Sequence, residues 1–501
     1  MPKRNLLLLC LVPLLCIVAW AARDRGVHGR RFGEVMAAID RAYVEPVDEG
    51  RLFQRAMDGV FGALDEHSAY VADRELDDLD AVLDQSFGGV GLQIEADLRD
   101  GSFVVAEPVV GSPAWRAGIR SGERITAVDG APVRGRSLTD VVALLRGRPD
   151  TSVTVELARA SDDPAVTTAD DGRPLGSRTV ELVREVVRTE SVLGERRRPD
   201  GGWEHRVEGD EHVALVRIVA FGERTAGELD AALDAIAAGP VPLRGLVLDL
   251  RGNPGGLLGS AVEVCDRFLQ RGVIVSTRGR PRAPPGSVGG PADVSRSTAA
   301  PGDAPRDVLD VRRATPGSRF DDVPVAVLID GFTASAAEIV AACLQDNGRS
   351  VTVGSRSFGK GTVQSLIPLA DGRSLVKLTT AEYLRPSGIP IDRRPRHNDG
   401  DTWGVSPDPA GSITPTGEAL ERWVAWRRAR DQAPDPAAAD RTASAAERPR
   451  QADPVLGRAL AIIGDPVAFG DRTPRRASAA GQRDPADGDS ATSRSLISDA
   501  R

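Results

Sequence analysis

The chain is poor in cysteine, histidine and aromatic residues. Its 501 residues include four Cys, five His and only 4% Phe, Trp and Tyr. No Cys-x-x-Cys pair or Cys/His cluster occurs, so neither a zinc site nor a disulfide framework is expected. Cys10 and Cys16 lie in an N-terminal apolar run. Cys265 and Cys343 are far apart in sequence and read as small buried hydrophobes. His28, His67, His205, His212 and His397 fall in polar or loop contexts. There is no His-Glu-x-x-His and no Gly-x-Ser-x-Gly, which argues against a metallopeptidase and against a Ser-His-Asp triad. A basic stripe is also lacking: 72 acidic residues face 64 basic ones, for a net charge of −8. Phosphate neutralisation needs a concentrated basic face and base stacking needs aromatic platforms, so nucleic acid is not an expected partner. No cofactor is expected.

What the chain does have begins at its N-terminus. Lys3 and Arg4 precede an uncharged stretch from Asn5 to Ala22, the pattern of an export signal. Ala19-Trp20-Ala21 offers a cleavage point. Residues 1–22 are also long enough to stay as an anchor, since a span needs about 17–25 residues. Arg23, Arg25, Arg30 and Arg31 follow and weaken a simple charge argument for orientation. Neither Cys10 nor Cys16 follows the small residues of a lipoprotein signal. The expectation is an exported, periplasmic or otherwise extracytoplasmic protein, held at the membrane if the segment stays uncleaved.

The length allows two or three domains. Residues 30–85 read as helices: Phe32, Val35, Met36, Ile39 and Tyr43 recur at helical spacing, as do Leu52, Met57, Val60, Phe61 and Leu64. At Phe87 the pattern changes to glycine turns and short strands. Gly88-Gly89-Val90-Gly91-Leu92-Gln93-Ile94 feeds a strand, Ser112–Ile119 holds a short helix, Arg124–Val128 is a strand, and Leu138–Leu145 is an amphipathic helix before the strand Ser152–Leu157. This order resembles a PDZ domain over 87–185, with a polar insertion near 161–177. Residues 186–426 read as α/β, with buried strands at Leu243–Leu250 and Val323–Ile329 and helices after each. Residues 280–319, rich in Pro, Gly, Ser and Arg, read as a disordered loop. Residues 427–501 read as mostly disordered, with a short apolar segment, Val455–Ile463, suited to docking as a helix.

Two segments carry chemistry. In Asp330-Gly331-Phe332-Thr333-Ala334-Ser335-Ala336-Ala337-Glu338 a strand turns into a helix that opens with small residues. A serine there sits beside backbone N–H groups and the positive end of a helix dipole, which suits a developing oxyanion. Taken alone, such a serine more often caps a helix or packs. Downstream lies Gly354-Ser355-Arg356-Ser357-Phe358-Gly359-Lys360-Gly361-Thr362-Val363-Gln364. It is not a phosphate loop, because Gly361 stands where Ser or Thr would hold magnesium and a strand, not a helix, follows. A lysine between glycines can be held against another backbone; once buried, its pKa falls and it can act as a base.

Together the two segments resemble the carboxyl-terminal processing, or tail-specific, proteases. In that family the serine lies in a small-residue run ending in Glu, the lysine in Gly-Lys-Gly, and a glutamine four residues later. Here the run is Thr333-Ala334-Ser335-Ala336-Ala337-Glu338, with Thr333 and Ala337 in place of flanking serines, which leaves Ser335 the single candidate. Asp249-Leu250-Arg251-Gly252-Asn253-Pro254-Gly255-Gly256 and Gly404-Val405-Ser406-Pro407-Asp408 extend the likeness over about 30–426. The resemblance implies a crotonase-like α/β core with an inserted PDZ domain and a helical N-terminal region. It implies a Ser335–Lys360 dyad, Gln364 orienting the lysine, and an oxyanion hole from Gly255 or Gly256 with Ala336. It further implies that Gly89, Val90, Gly91 and Leu92 receive the C-terminus of a protein substrate with a free, apolar tail, and that Arg146 couples occupancy to catalysis. A homo-oligomer is allowed. The rival readings are a catalytically silent PDZ scaffold and a crotonase-like acyl-CoA enzyme. The intact serine, lysine and glutamine speak against the first, and an exported chain with a PDZ domain speaks against the second.

Overall fold

The computed structural model describes residues 27–72, 75–76, 84–97, 100–158, 177–280, 307–393, 402–432 and 452–465. The expectations for residues 1–22 and for most of the insertion at 161–177 lie outside them. Among the described residues no helix is long and apolar enough to cross a membrane. The chain divides into two units, one formed by residues up to Ala72 together with Ser365–Thr379, the other by the rest.

In the first unit, α1 (Val27–Ala42) and α2 (Glu49–Gly62) are amphipathic. Asp48 caps α2 by accepting the Arg51 N–H at 3.1 Å. Phe53 meets the rings of Phe32 and Tyr70 edge-on, 6.2 and 5.7 Å between centroids. The helices that the spacing predicts over 30–85 are interrupted within the described residues. Ala69–Ala72 is a strand, β1, paired antiparallel with Ser374–Lys377. Its partner comes from far along the chain, so no local pattern announces it.

The second unit opens with the PDZ-like layer. β2 (Ser86–Gly89) pairs with β8 (Glu185–Arg188). Between them β3 (Leu92–Ala96), β4 (Phe103–Pro108), β5 (Arg124–Val128), β6 (Ser152–Ala158) and β7 (Arg178–Val183) form one antiparallel sheet in chain order. The short helix α3 (Pro113–Arg116) starts at Ser112 with proline in its first turn, and α4 (Leu138–Leu145) starts at a Ser137/Asp140 capping box. Val105, Val128, Val141, Val155 and Leu157 are fully buried between sheet and helices.

The α/β core follows. β9 (Asp210–Ile218), β10 (Gly245–Asp249), β13 (Val325–Ile329) and β14 (Ser350–Gly354) lie parallel in that order. The crossovers hold α5 (Thr225–Ala237), α6 (Leu258–Asp266) and α7 (Ala336–Asp346). Side chains alternate between faces with the strand period. Ala214, Val216, Leu246, Leu248, Val325 and Val327 join α5, α6 and α7 in the main core. Val213, Leu215, Val247, Ala326, Leu328, Val351 and Val353 face the other way and are covered by α9 (Pro454–Ile463), through Val455, Leu456, Ala459, Leu460 and Ile462. Burying each larger side chain stabilises by about 1.5–3 kcal/mol. Cys265 and Cys343, remote in sequence, are free thiols that meet across α6 and α7 inside the main core.

Two expectations about loops change here. Within 280–319, Asp307–Arg313 is a strand, β12, antiparallel to β11 (Val273–Gly279); its charged alternation masks the strand in sequence. Beyond residue 427, α8 (Glu418–Asp431) continues to Asp431, and residues 452–465 are ordered around α9.

Candidate active site

Ser335 stands at the start of α7, where the chain leaves β13. The Asp330 carboxylate accepts the N–H groups of Phe332 and Thr333, both at 3.0 Å, and so turns the chain sharply. Thr333 Oγ1 donates to the Leu250 carbonyl at 2.9 Å, and the Ala334 N–H donates to the Asn253 carbonyl at 2.9 Å. The serine turn is thereby fastened to the turn after β10. Ser335 itself has φ 54° and ψ −118°, a conformation that glycine, not serine, adopts without cost. Its side chain is half-buried.

The turn after β10 holds Asn253, which is fully buried. Asn253 Nδ2 donates to the Ile218 carbonyl at 2.8 Å, and its Oδ1 accepts the Gly255 N–H at 2.8 Å. Gly255 N–H is thus already engaged. The Gly256 and Ala336 N–H groups make no hydrogen bond among the described residues.

Lys360 approaches from a third element, the loop between β14 and β15 (Thr362–Pro368). Glu338, with no exposed surface, joins this loop to the serine. Its Oε2 accepts the N–H of Ser335 at 2.9 Å and of Lys360 at 2.8 Å. Its Oε1 accepts the Ser357 hydroxyl at 2.5 Å and the Gly359 N–H at 2.7 Å. Burial pushes the Glu338 carboxyl up to about 7, against the pull of these four donors. Glycine at 361 has a steric reason: a Cβ there would lie 2.1 Å from the Asp392 nitrogen. Lys360 is half-buried. Gln364 is four residues on, with Nε2 donating to Thr362 Oγ1 at 2.8 Å.

Three elements thus bring Ser335, Ala336, Gly255, Gly256 and Lys360 onto one hydrogen-bonded frame. Glu338 closes the small-residue run in sequence, with no separate role predicted for it. The signal for it was present, because Ser335-x-x-Glu338 is a capping-box spacing. Asn253 has no comparable local signal.

The remaining candidates lie in the PDZ-like layer. Gly89 ends β2, Val90 is buried, and Leu92 opens β3. The Val90 carbonyl accepts from Ala114, and the Gly91 carbonyl accepts from Val109. The N–H groups of Val90 and Gly91 make no hydrogen bond among the described residues. Arg146 caps the end of α4 with its guanidinium over the Phe87 ring, 5.6 Å from the centroid.

Comparison with known proteins places the chain in a family. Residues 212–409 match peptidase family S41 and residues 104–159 match the PDZ domain. A carboxy-terminal-processing protease of Bartonella bacilliformis is 35% identical over 364 residues, 72% of this chain and 72% of that protein. A chloroplastic C-terminal processing peptidase of Tetradesmus obliquus is 30% identical over 407 residues, 79% of this chain and 76% of that protein. The carboxy-terminal processing protease CtpA of Bacillus subtilis is 30% identical over 357 residues, 71% of this chain and 65% of that protein.

Proposed function

Since the chain belongs to the carboxy-terminal processing proteases of peptidase family S41, serine-type peptidases with a PDZ domain, we propose that Ser335 is its nucleophile and Lys360 its general base. One observation carries this reading: a single oxygen of Glu338 accepts the backbone N–H of both residues. Neutral Lys360 takes the Ser335 hydroxyl proton as the oxygen attacks the scissile carbonyl carbon. The carbonyl oxygen becomes an oxyanion, received by the N–H groups of Ala336 and Gly256. Gly256 is preferred over Gly255 because the latter donates to Asn253. Collapse breaks the C–N bond, and Lys360 returns its proton to the leaving amine. Water, deprotonated by Lys360, then releases the acyl group. Gln364 orients the lysine. The core carrying these groups is read as crotonase-like.

The PDZ domain selects the substrate. A free C-terminal carboxylate docks on the Val90 and Gly91 N–H groups, its chain adds to the edge of β3, and an apolar last residue enters beside α4. The substrates are exported proteins, met outside the cytoplasm by an enzyme held through residues 1–22. The deciding experiment is cleavage of an unstructured protein by the purified enzyme. Ser335→Ala and Lys360→Arg should each be inactive while still folded, since arginine keeps its proton. Near-normal cleavage by either variant overturns the dyad.

A further inference from the structure

The turn that presents Gly255 and Gly256 is gripped from two sides. From one side come Asp330, Thr333 and Ala334, next to the serine: Gly252 N–H donates to Asp330 at 3.0 Å, and Thr333 and Ala334 bond as described above. From the other side comes the C-terminal segment. Arg251, in the middle of the turn, is buried, with 5% of its side chain exposed. Its Nε and Nη2 donate to Asp249 at 2.9 and 2.6 Å. Its Nη1 and Nη2 donate to Asp453, 202 residues later, at 3.0 and 2.7 Å. The guanidinium lies over the Trp423 ring of α8, 4.6 Å from the centroid.

Asp453 has two tasks. Besides holding Arg251, its Oδ1 accepts the N–H groups of Val455 and Leu456, at 3.1 and 3.0 Å, and so caps α9. The carboxylate is almost fully buried, with 2% of its side chain exposed. A forked, two-sided pair sealed from water fixes orientation more sharply than a surface ion pair does. The docking of α9 on the sheet and the placement of the turn beside Ser335 therefore meet in one side chain.

We infer that Asp453 is a positioning residue for catalysis: through Arg251, the chain's own C-terminal helix holds the turn whose Gly256 N–H receives the oxyanion. The inference rests on the function proposed above. Asp453 touches neither substrate nor the reacting atoms. Its effect falls on the transition state, since misplacing a donor by a fraction of an ångström lowers kcat while leaving tail capture alone.

Asp453→Asn separates the two tasks. The amide oxygen still caps α9, while the amide nitrogen faces Arg251 Nη2, donor against donor. Leu456→Ala is the comparison, because it loosens the apolar seat of α9 without touching Arg251. Both are made in the full chain, and melting temperature, kcat and KM are measured on one unstructured protein substrate well below the melting transition. The expected result is a kcat reduced about tenfold or more in D453N with KM within about twofold of the parent, and L456A nearly normal in kcat despite a comparable melting shift. Equal kcat in D453N and the parent, equal losses in both variants, or a change in KM alone would overturn the inference. If D453N does not fold, Arg251→Lys, which keeps the charge and loses the fork, is judged by the same split. Ser335→Ala in the same assay tests the dyad separately. Activity surviving there sinks the dyad, whereas a normal D453N in an enzyme silenced by S335A sinks only the role of the tail.

Discussion

Gly255 lies so close to Ser335 that a Cβ placed on it would stand 2.7 Å from the serine Cβ. The same atom would meet the Ala334 carbonyl oxygen and the Ala336 nitrogen, each at 2.9 Å, and Gly255 has φ 101°. Gly255→Ala must move the serine turn or strain its own backbone. We expect it to cost about 2 kcal/mol or more in a denaturant titration. We also expect it to lower kcat strongly while leaving capture of a free peptide tail unchanged. A kcat near that of the parent would mean that the turn relaxes without disturbing Ser335.

The strain at Ser335 has its own signature. Its φ of 54° with ψ −118° costs energy with any Cβ present. Ser335→Ala and Ser335→Gly should both be inactive, yet the glycine variant should be the more stable by about 1 kcal/mol. Thermal melts of the two, run side by side, decide the matter. An alanine variant at least as stable as the glycine variant argues that the conformation is not strained.

Glu338 makes stability depend on pH. Its folded carboxyl lies near 7, above the ordinary value of 4.5, with burial the leading cause. The folded state therefore prefers the protonated form. That contribution is complete below about 4.5 and is lost as pH rises through about 7. One group with this shift accounts for about 3 kcal/mol at most. Glu107, on β4, is also pushed up to about 7, chiefly by burial, and adds in the same direction. We expect the stability advantage of the parent over Glu338→Gln to shrink between pH 4.5 and 7. A difference that stays flat over that range would place the titration elsewhere. Near neutral pH the glutamine variant should also lose activity, because its amide cannot accept from all four donors.

Substrate choice is tested at the carboxylate. The open N–H groups of Val90 and Gly91 suit a free C-terminal carboxylate, whereas an amidated end keeps one acceptor oxygen but loses the charge that strengthens those bonds. Amidating a substrate's C-terminus, or ending it in charged residues, should slow cleavage of an unstructured protein. A short peptide that bypasses the PDZ domain should be cut slowly in either form. Rates indifferent to amidation, in an enzyme that Ser335→Ala silences, reject selection through this loop and leave the dyad standing.

What could be read in sequence was what is local. Ser335 opens a helix after a strand, and Lys360 sits between glycines before one, so each announces itself within about ten residues. Their joining by Glu338 was half legible, as a capping-box spacing whose second task, holding the Lys360 loop, depends on the fold. The choice between Gly255 and Gly256 was not legible. The proposed preference for Gly256 rests on Asn253 Oδ1, which takes the Gly255 N–H through a backbone geometry no composition reveals. Arg251 and Asp453 lay further out of sight: an arginine inside a glycine turn and an aspartate in a polar tail are partners across 202 residues of sequence. β12 shows the converse. Val308, Leu309 and Val311 sit among charged residues, and pairing with β11 rather than apolar periodicity makes them a strand.

The covering of one sheet face by α9 also bears on timing. A ribosome delivers the chain from its first residue onward, and β9, β10, β13 and β14 are complete by Gly354. Val213, Val247, Leu328 and Val353 then lack their cover until residues 454–463 emerge. Until that point the face is a sticky, unfinished surface, and Arg251 lacks the Asp453 carboxylate. The cover of this face is thus the last of its parts to be made.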